Sequence, residues 1–295
     1  MQPAVTGTGY DVGMPDLPAA LPDIDPFLAV AIRAALAAGA VITAAMRAPG
    51  TLQIREKNPN DFVTQVDLAS EKTIVQALLA ACPRHAVRSE ESALPHGDPA
   101  SDHVWIVDPL DGTTNFIHGY PQVAVSIALA IRGQVAHGVV LDVVSGALFH
   151  ATLGQGAYCG TRRLQTSRCA ALHSAVLATS CPTRAAPDSA RAVAMLCDVM
   201  GRVAAIRRSG SAALDLARIA AGQCDGGFDQ GLNAWDVAAG SLLVSEAGGR
   251  VGNFLGGAGF LEAREIMAAG AGLFDALGDV LAPYSHCAVV PASCL

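Results

Sequence analysis

The stretch Trp105-Ile106-Val107-Asp108-Pro109-Leu110-Asp111-Gly112-Thr113-Thr114-Asn115 opens as an apolar strand and closes as an acidic, glycine-containing turn. Pro109 fixes its own φ at about −65° and pushes Asp108 toward an extended backbone, so two carboxylates arrive at one stiff strand end. Together they can bind one hard cation. Gly112 permits close backbone approach, and Thr113, Thr114 and Asn115 are residues that cap helices. A helix starting there would turn its N–H groups toward an anion. Acids for Mg²⁺ beside N–H groups for phosphate is the pairing that phosphoryl chemistry needs. The alternative for the isolated stretch is an acidic turn between strands.

Composition narrows the class. The 295 residues can bury a large core, and 52% hydrophobic against 15% charged residues fits an Ala- and Gly-rich globular chain. A net charge of −7 argues against general nucleic-acid binding, which draws on many Lys and Arg contacts. Residues 1–25, with Pro3, Pro15, Pro18 and Pro22, read as an extension without a secretory pattern. The Ala-rich run 28–46 is interrupted by Arg33 and reads as a packed helix, with no membrane anchor. Eight scattered cysteines without a C-x-x-C pair read as free thiols of a cytoplasmic protein, and the eight histidines show no metal-binding spacing.

Along the chain, residues 26–47 and 68–82 read as helices, the second capped by Asp67 and stopped by Pro83. Glu90-Glu91 follow a short apolar entry at Val87; adjacent acids are ordinarily solvated surface. Residues 123–131 alternate large and small side chains, predicting a half-buried strand with small residues facing a close neighbour. Segments 135–143 and 147–152 continue it as an antiparallel meander, and Gly154-Gln155-Gly156 is a turn. From residue 174, short strands alternate with helices: strand 175–180, helices 188–201 and 211–222, and a helix from Val237 with Asp236 at its start. The expected organisation is thus an extension (1–25), an α+β half (26–173) holding most of the acids, an α/β half (174–283) and a tail (284–295).

The order Asp67, Glu90-Glu91, Asp108-Pro109-Leu110-Asp111-Gly112-Thr113-Thr114-Asn115, Ser209-Gly210-Ser211-Ala212-Ala213 and Trp235-Asp236-Val237-Ala238-Ala239-Gly240 resembles the inositol monophosphatase family in its bacterial form. The resemblance spans roughly residues 26–280. It implies an α/β, layered αβαβα sandwich and a phosphomonoesterase using about two to three Mg²⁺ ions. It implies metal ligands at Glu90, Asp108, the Leu110 carbonyl, Asp111 and Asp236. Glu90, Thr113 and Asp67 would be catalytic, the last two holding the attacking water. Gly112, Thr113 and Thr114 would receive the phosphate, with Ser211, Ala212, Asp229 and Asp236 on the substrate side. Lys57 and Glu91 are further candidates.

The chemistry of these residues agrees, because Mg²⁺ takes oxygen ligands and clustered acids need cations between them. One departure concerns Asp229, which stands where the family commonly has a Glu that bonds the inositol ring. The expected substrate is therefore inositol 1-phosphate or a similar small polyol phosphate. Alternatives within the same chemistry are histidinol phosphate, fructose 1,6-bisphosphate and 3′-phosphoadenosine nucleotides. The resemblance also implies a homodimer and lithium sensitivity. A rival from another class is a regulatory protein, since some bacterial members bind the transcription machinery; Arg162-Arg163 and Arg207-Arg208 are the basic pairs available for it.

Overall fold

In the computed structural model, residues 24–48, 52–58, 61–180 and 189–286 are described. Residues 1–23 of the extension, residues 287–295 of the tail, Pro49, Gly50, Pro59 and Asn60, which the sequence reads as turns, and Cys181, Cys287 and Cys294 lie outside them.

The first half runs α1 (Pro26–Met46), β1 (Ile54–Asn58), β2 (Asp61–Thr64), α2 (Gln65–Ala81), β3 (Ala86–Ser89), β4 (His96–Gly97), β5 (His103–Asp111) and α3 (Thr113–His118). The meander follows as β6 (Ala124–Ile131), β7 (Gln134–Asp142), β8 (Leu148–Thr152), β9 (Gly156–Cys159) and β10 (Arg162–Arg163). Then come β11 (Val176–Ala178), α4 (Ser189–Met200), β12 (Ala205–Arg207), α5 (Ala212–Ala220) and β13 (Gly226–Gln230). The chain closes with α6 (Ala234–Glu246), β14 (Gly249–Gly252), α7 (Phe260–Ala263), β15 (Glu265–Gly270) and α8 (Phe274–Leu281).

Alternation along β6 determines the layering. Val123, Val125, Ile127 and Leu129 pack with α1 and α2, whereas Ala124 and Ala128 face α5 and α6. The strand is therefore buried on both faces, not half-buried as its pattern predicts; its small residues are the price of a close helix rather than of solvent. Gly138 on the paired strand shows how close: a Cβ there would lie 2.9 Å from the Ala239 carbonyl oxygen of α6.

The eight-stranded sheet has the order β10-β9-β8-β7-β6-β5-β3-β4, antiparallel except where β3 runs parallel to β5. A five-stranded sheet, β12-β11-β13-β15-β14, lies beyond α5 and α6. Its outer face, carrying Leu177, Phe228 and Met267, packs with Met195 and Val199 of α4 and Leu277 and Leu281 of α8. The layers are thus α, β, α, β, α, with a separate β1–β2 hairpin.

Helix α1 is long and apolar enough to cross a membrane, yet Ala34, Ala35, Ala38 and Ile42 are fully buried against the sheet, and Arg33 points outward. Burying such a stripe against α2 and β7 stabilises by about 25 cal/mol per Å² of apolar surface. Asp25 fixes its start, accepting a hydrogen bond from the Phe27 N–H at 2.8 Å.

Candidate metal and phosphate site

The acidic stretch is the end of β5 itself rather than a turn following it. β5 continues through Asp111, and its pairing with β6 slips inside the acidic motif: Asp108 stands opposite Ser126, and Asp111 opposite Ala124. One extra residue on β5 is a bulge, which is where a strand tolerates Pro109. Without it, residues 108 and 111 would point to opposite faces. With it, both carboxylates share the face on which Ser126 donates its hydroxyl to the Trp235 carbonyl at the start of α6.

Other elements bring the remaining acids. Parallel pairing sets Ser89 beside Val107, and the Glu90 N–H donates to the Val107 carbonyl at 3.2 Å, so Glu90 follows β3 to the level of Asp108. Glu90 and Glu91 are not solvated surface; the Glu91 side chain is 3% exposed. Lys57 from the β1–β2 hairpin bridges them at 3.1 and 2.9 Å. Burial opposes the Lys57 charge, but the two glutamates outweigh it and move its pKa up. Burial pushes Glu91 to about 7 and raises Glu90 as well.

Asp67 and Asp236 enter by the same device, displaced by one turn from the predicted caps. α2 starts at Gln65 with Thr64 as its cap, and Asp67 is the third helical residue, accepting from the Thr64 N–H at 2.9 Å and hydroxyl at 2.6 Å. α6 starts at Ala234 after Asn233, whose N–H donates to Asp236 Oδ2 at 2.6 Å. In each case a short acid in the first turn satisfies the cap backbone and the helix dipole while keeping an oxygen for the site. For Asp67 that oxygen is Oδ1, which accepts the Thr113 hydroxyl at 2.9 Å.

Asp111 is fastened by α5: its Oδ2 accepts from the Ser211 hydroxyl at 2.7 Å and the Ala213 N–H at 2.8 Å. Ser211 also caps α5, and Ala212 is buried in its first turn. Asp229 on β13 accepts from the Thr179 hydroxyl and the Ser180 N–H. Gly112, at φ 98°, leads into α3, and a Cβ there would lie 2.7 Å from the Gln122 carbonyl. Asn115 then ties this turn to the second half, with its Nδ2 donating to the carbonyls of Gln122 and Ser209 at 2.8 and 2.9 Å.

Electrostatics test the fit to a cation. Burial, reinforced by Glu90, Asp111 and Asp236, holds Asp108 well above the ordinary carboxylate range. Burial with Asp111 does the same to Asp236, and burial brings Asp111 to about 6 despite its hydrogen bonds. The four raised carboxyls are oxygen donors of the kind a hard divalent cation takes. The acids form an open cluster: among the described residues, no three Asp, Glu, His or Cys side chains stand at ligating spacing. The residues present fit a cation by charge and donor type.

Comparison with known proteins identifies the family. A profile described as "Inositol monophosphatase family" matches residues 23–286. The chain belongs to the inositol monophosphatase family. A relative from Pseudomonas aeruginosa named "Nus factor SuhB" is 43% identical over 264 residues, covering 88% of this chain and 97% of that protein. The crystal structure of extragenic suppressor protein suhB from Bartonella henselae superposes with TM-score 0.84 at 39% identity, covering 87% of this chain and 98% of that one. An inositol monophosphatase from Anabaena gives TM-score 0.78 at 34% identity, covering 91% and 98%. The αβαβα sandwich is thus the fold of inositol monophosphatases. Ser209, quoted in sequence only as part of its motif, holds Asn115 by its carbonyl, and Asp215, which accepts the Ser209 hydroxyl at 2.7 Å, was missed in sequence. The signal for Asp215 was an acid among Leu214, Leu216 and Ile219 on a helix.

Proposed function

We propose that this member is a Mg²⁺-dependent phosphomonoesterase acting on inositol 1-phosphate or a similar small polyol phosphate. The observation that carries the reading is the convergence of Glu90 after β3, Asp108 and Asp111 on β5 and Asp236 on α6 into one cluster of raised carboxyls, beside a Thr113–Asp67 hydrogen bond. Glu90, Asp108, the Leu110 carbonyl, Asp111 and Asp236 would hold the metal. Bound Mg²⁺ supplies Lewis acidity and neutralises phosphate charge.

The chain's own groups do the positioning. Thr113 and Asp67 orient the attacking water, with Asp67 buried enough to be a better proton acceptor than an ordinary aspartate. Backbone N–H groups at Gly112 to Thr114 receive the phosphate, and Ser211 locks Asp111 in place. Asp229 lies toward the alcohol. Lys57 balances Glu90 and Glu91 from the hairpin.

Initial rates with Mg²⁺ on inositol 1-phosphate, histidinol phosphate, fructose 1,6-bisphosphate and 3′-phosphoadenosine nucleotides test the substrate. Preference for the inositol ester supports the reading, and preference for another reassigns the alcohol.

A second reading is favoured by the relatives named Nus factor SuhB. In it the chain also serves as a regulatory partner, using the exposed pairs Arg162-Arg163 on edge strand β10 and Arg207-Arg208 at edge strand β12. Binding to RNA polymerase or RNA that survives Asp108→Asn would support it. The proposed assembly is a homodimer in the cytoplasm.

A further inference from the structure

Behind the Ser209-Gly210-Ser211 link lies a buried acid that the proposed reaction does not use. Asp215 on α5 is 3% exposed. Its Oδ1 accepts the Ser209 hydroxyl at 2.7 Å, and its Oδ2 is buried without a hydrogen-bond partner among the described residues. A buried carboxyl oxygen left unpaired costs about 1–3 kcal/mol or more, so something is expected to meet it.

A small cavity supplies the candidate. Asp215 lines it together with Asp229, and the rest of its wall is largely apolar: Leu216, Ile219, Phe228 and Ile266. Its volume is about 10 Å³, room for one water at most. Asp229 faces this space while accepting from Thr179 and Ser180, which follow the neighbouring strand β11. Burial raises both acids to about 7, and Asp215 is among the groups that raise Asp229. The other charged or titratable groups facing the pair are Asp111 on β5, Arg218 on α5, Cys224 before β13 and Asp236 on α6.

The geometry points to Asp215 as a positioning residue: its unpartnered oxygen meets Asp229 through a water held in this cavity, and so fixes how Asp229 is presented to the hydroxyls of the alcohol. The inference rests on the phosphatase reading and deepens it on the alcohol side. It also gives the shorter Asp229 a physical setting, since a carboxyl one methylene shorter stays closer to its own strand and to the cavity.

Two substrates and two variants test it. Asp215→Leu removes both bonds and puts an apolar side chain in their place; Asp215→Asn keeps an acceptor for Ser209 and offers an N–H donor toward Asp229. With Mg²⁺, Asp215→Leu should raise KM for inositol 1-phosphate about 10-fold, the effect of one lost oriented hydrogen bond, with kcat changed much less. KM for 4-nitrophenyl phosphate, whose leaving group has no ring hydroxyls, should move by less than about 2-fold, and Asp215→Asn should restore the inositol value. Independently of turnover, the carboxyl ¹³C titration of Asp229 should move down in Asp215→Leu, because a neighbouring acid is gone. Equal KM increases for both esters, unchanged KM for both, or an unmoved Asp229 titration would overturn the pairing. If the unaltered protein hydrolyses neither ester, the phosphatase reading fails, and the Asp229 titration alone decides the pairing.

Discussion

Thr113 donates its hydroxyl to Asp67 Oδ1 across 2.9 Å, linking the turn after the acidic strand to the first turn of a helix 46 residues earlier. Asp67 is 1% exposed, and its other oxygen is held by Thr64, so the pair has one orientation. Asp67→Asn should therefore lower kcat by roughly 100-fold or more, the range of general acid–base contributions. Circular dichroism should show the fold retained, since an amide oxygen can still accept from Thr64. A kcat within a few-fold of the parent would remove Asp67 from the reaction.

Lys57 and Glu91 make a second prediction, through pH. Glu91 titrates at about 7 against an ordinary 4.5, so between those values the folded state holds a proton that the unfolded state has lost. Stability from this group is present below about 4.5 and is lost as pH rises through about 7. Lys57→Met removes the compensating charge and moves Glu91 higher. The metal-free variant should lose about 1–3 kcal/mol at pH 8 and clearly less at pH 6, read as thermal midpoints. A loss independent of pH would mean that Lys57 acts by packing alone.

The raised acids predict how metal and pH couple. Asp108, Asp111 and Asp236 must be ionised to bind a cation, and all three resist ionisation in its absence. The rise in thermal midpoint on adding Mg²⁺ should be small at pH 5.5 and grow toward pH 8. Differential scanning calorimetry across that range checks it; an increment that shrinks with pH contradicts the assignment of these acids as ligands.

Gly138 tests the layering without reference to activity. A Cβ there meets the Ala239 carbonyl oxygen at 2.9 Å, backbone against backbone, with α6 unable to withdraw from β7. Gly138→Ala should destabilise by about 1–3 kcal/mol in urea unfolding. No loss would mean that α6 lies farther from the large sheet than described.

How far the sequence reached follows local and non-local physics. Single elements were legible from local pattern, as in the alternation along β6 and the Ala-rich run of α1, whereas the layered sandwich was implied by the family resemblance. The family order of acids pointed to one site. Helix starts were misplaced by one turn at Asp67 and Asp236, because an acid at the third helical position and an acid at the cap look alike in sequence. The bulge at Pro109 was also hidden, since only the pairing with Ser126 and Ala124 reveals the extra residue. Glu91 looked like surface until Lys57 arrived from the hairpin, and Asp215 acquired meaning only from the cavity it shares with Asp229. The bulge and the burial of Glu91 depend on partners from other elements of the chain.

The central claim is that Asp108 and its companion acids hold the metal that drives phosphate ester hydrolysis. Phosphate release from inositol 1-phosphate, measured with and without Mg²⁺ for the unaltered protein and for Asp108→Asn, tests it most directly. The account predicts Mg²⁺-dependent release by the unaltered protein and a drop of roughly 100-fold or more in the variant, exceeding the 10–100-fold of residues behind the ligands, with the fold intact. Near-parental release by folded Asp108→Asn, or release indifferent to Mg²⁺, would contradict it.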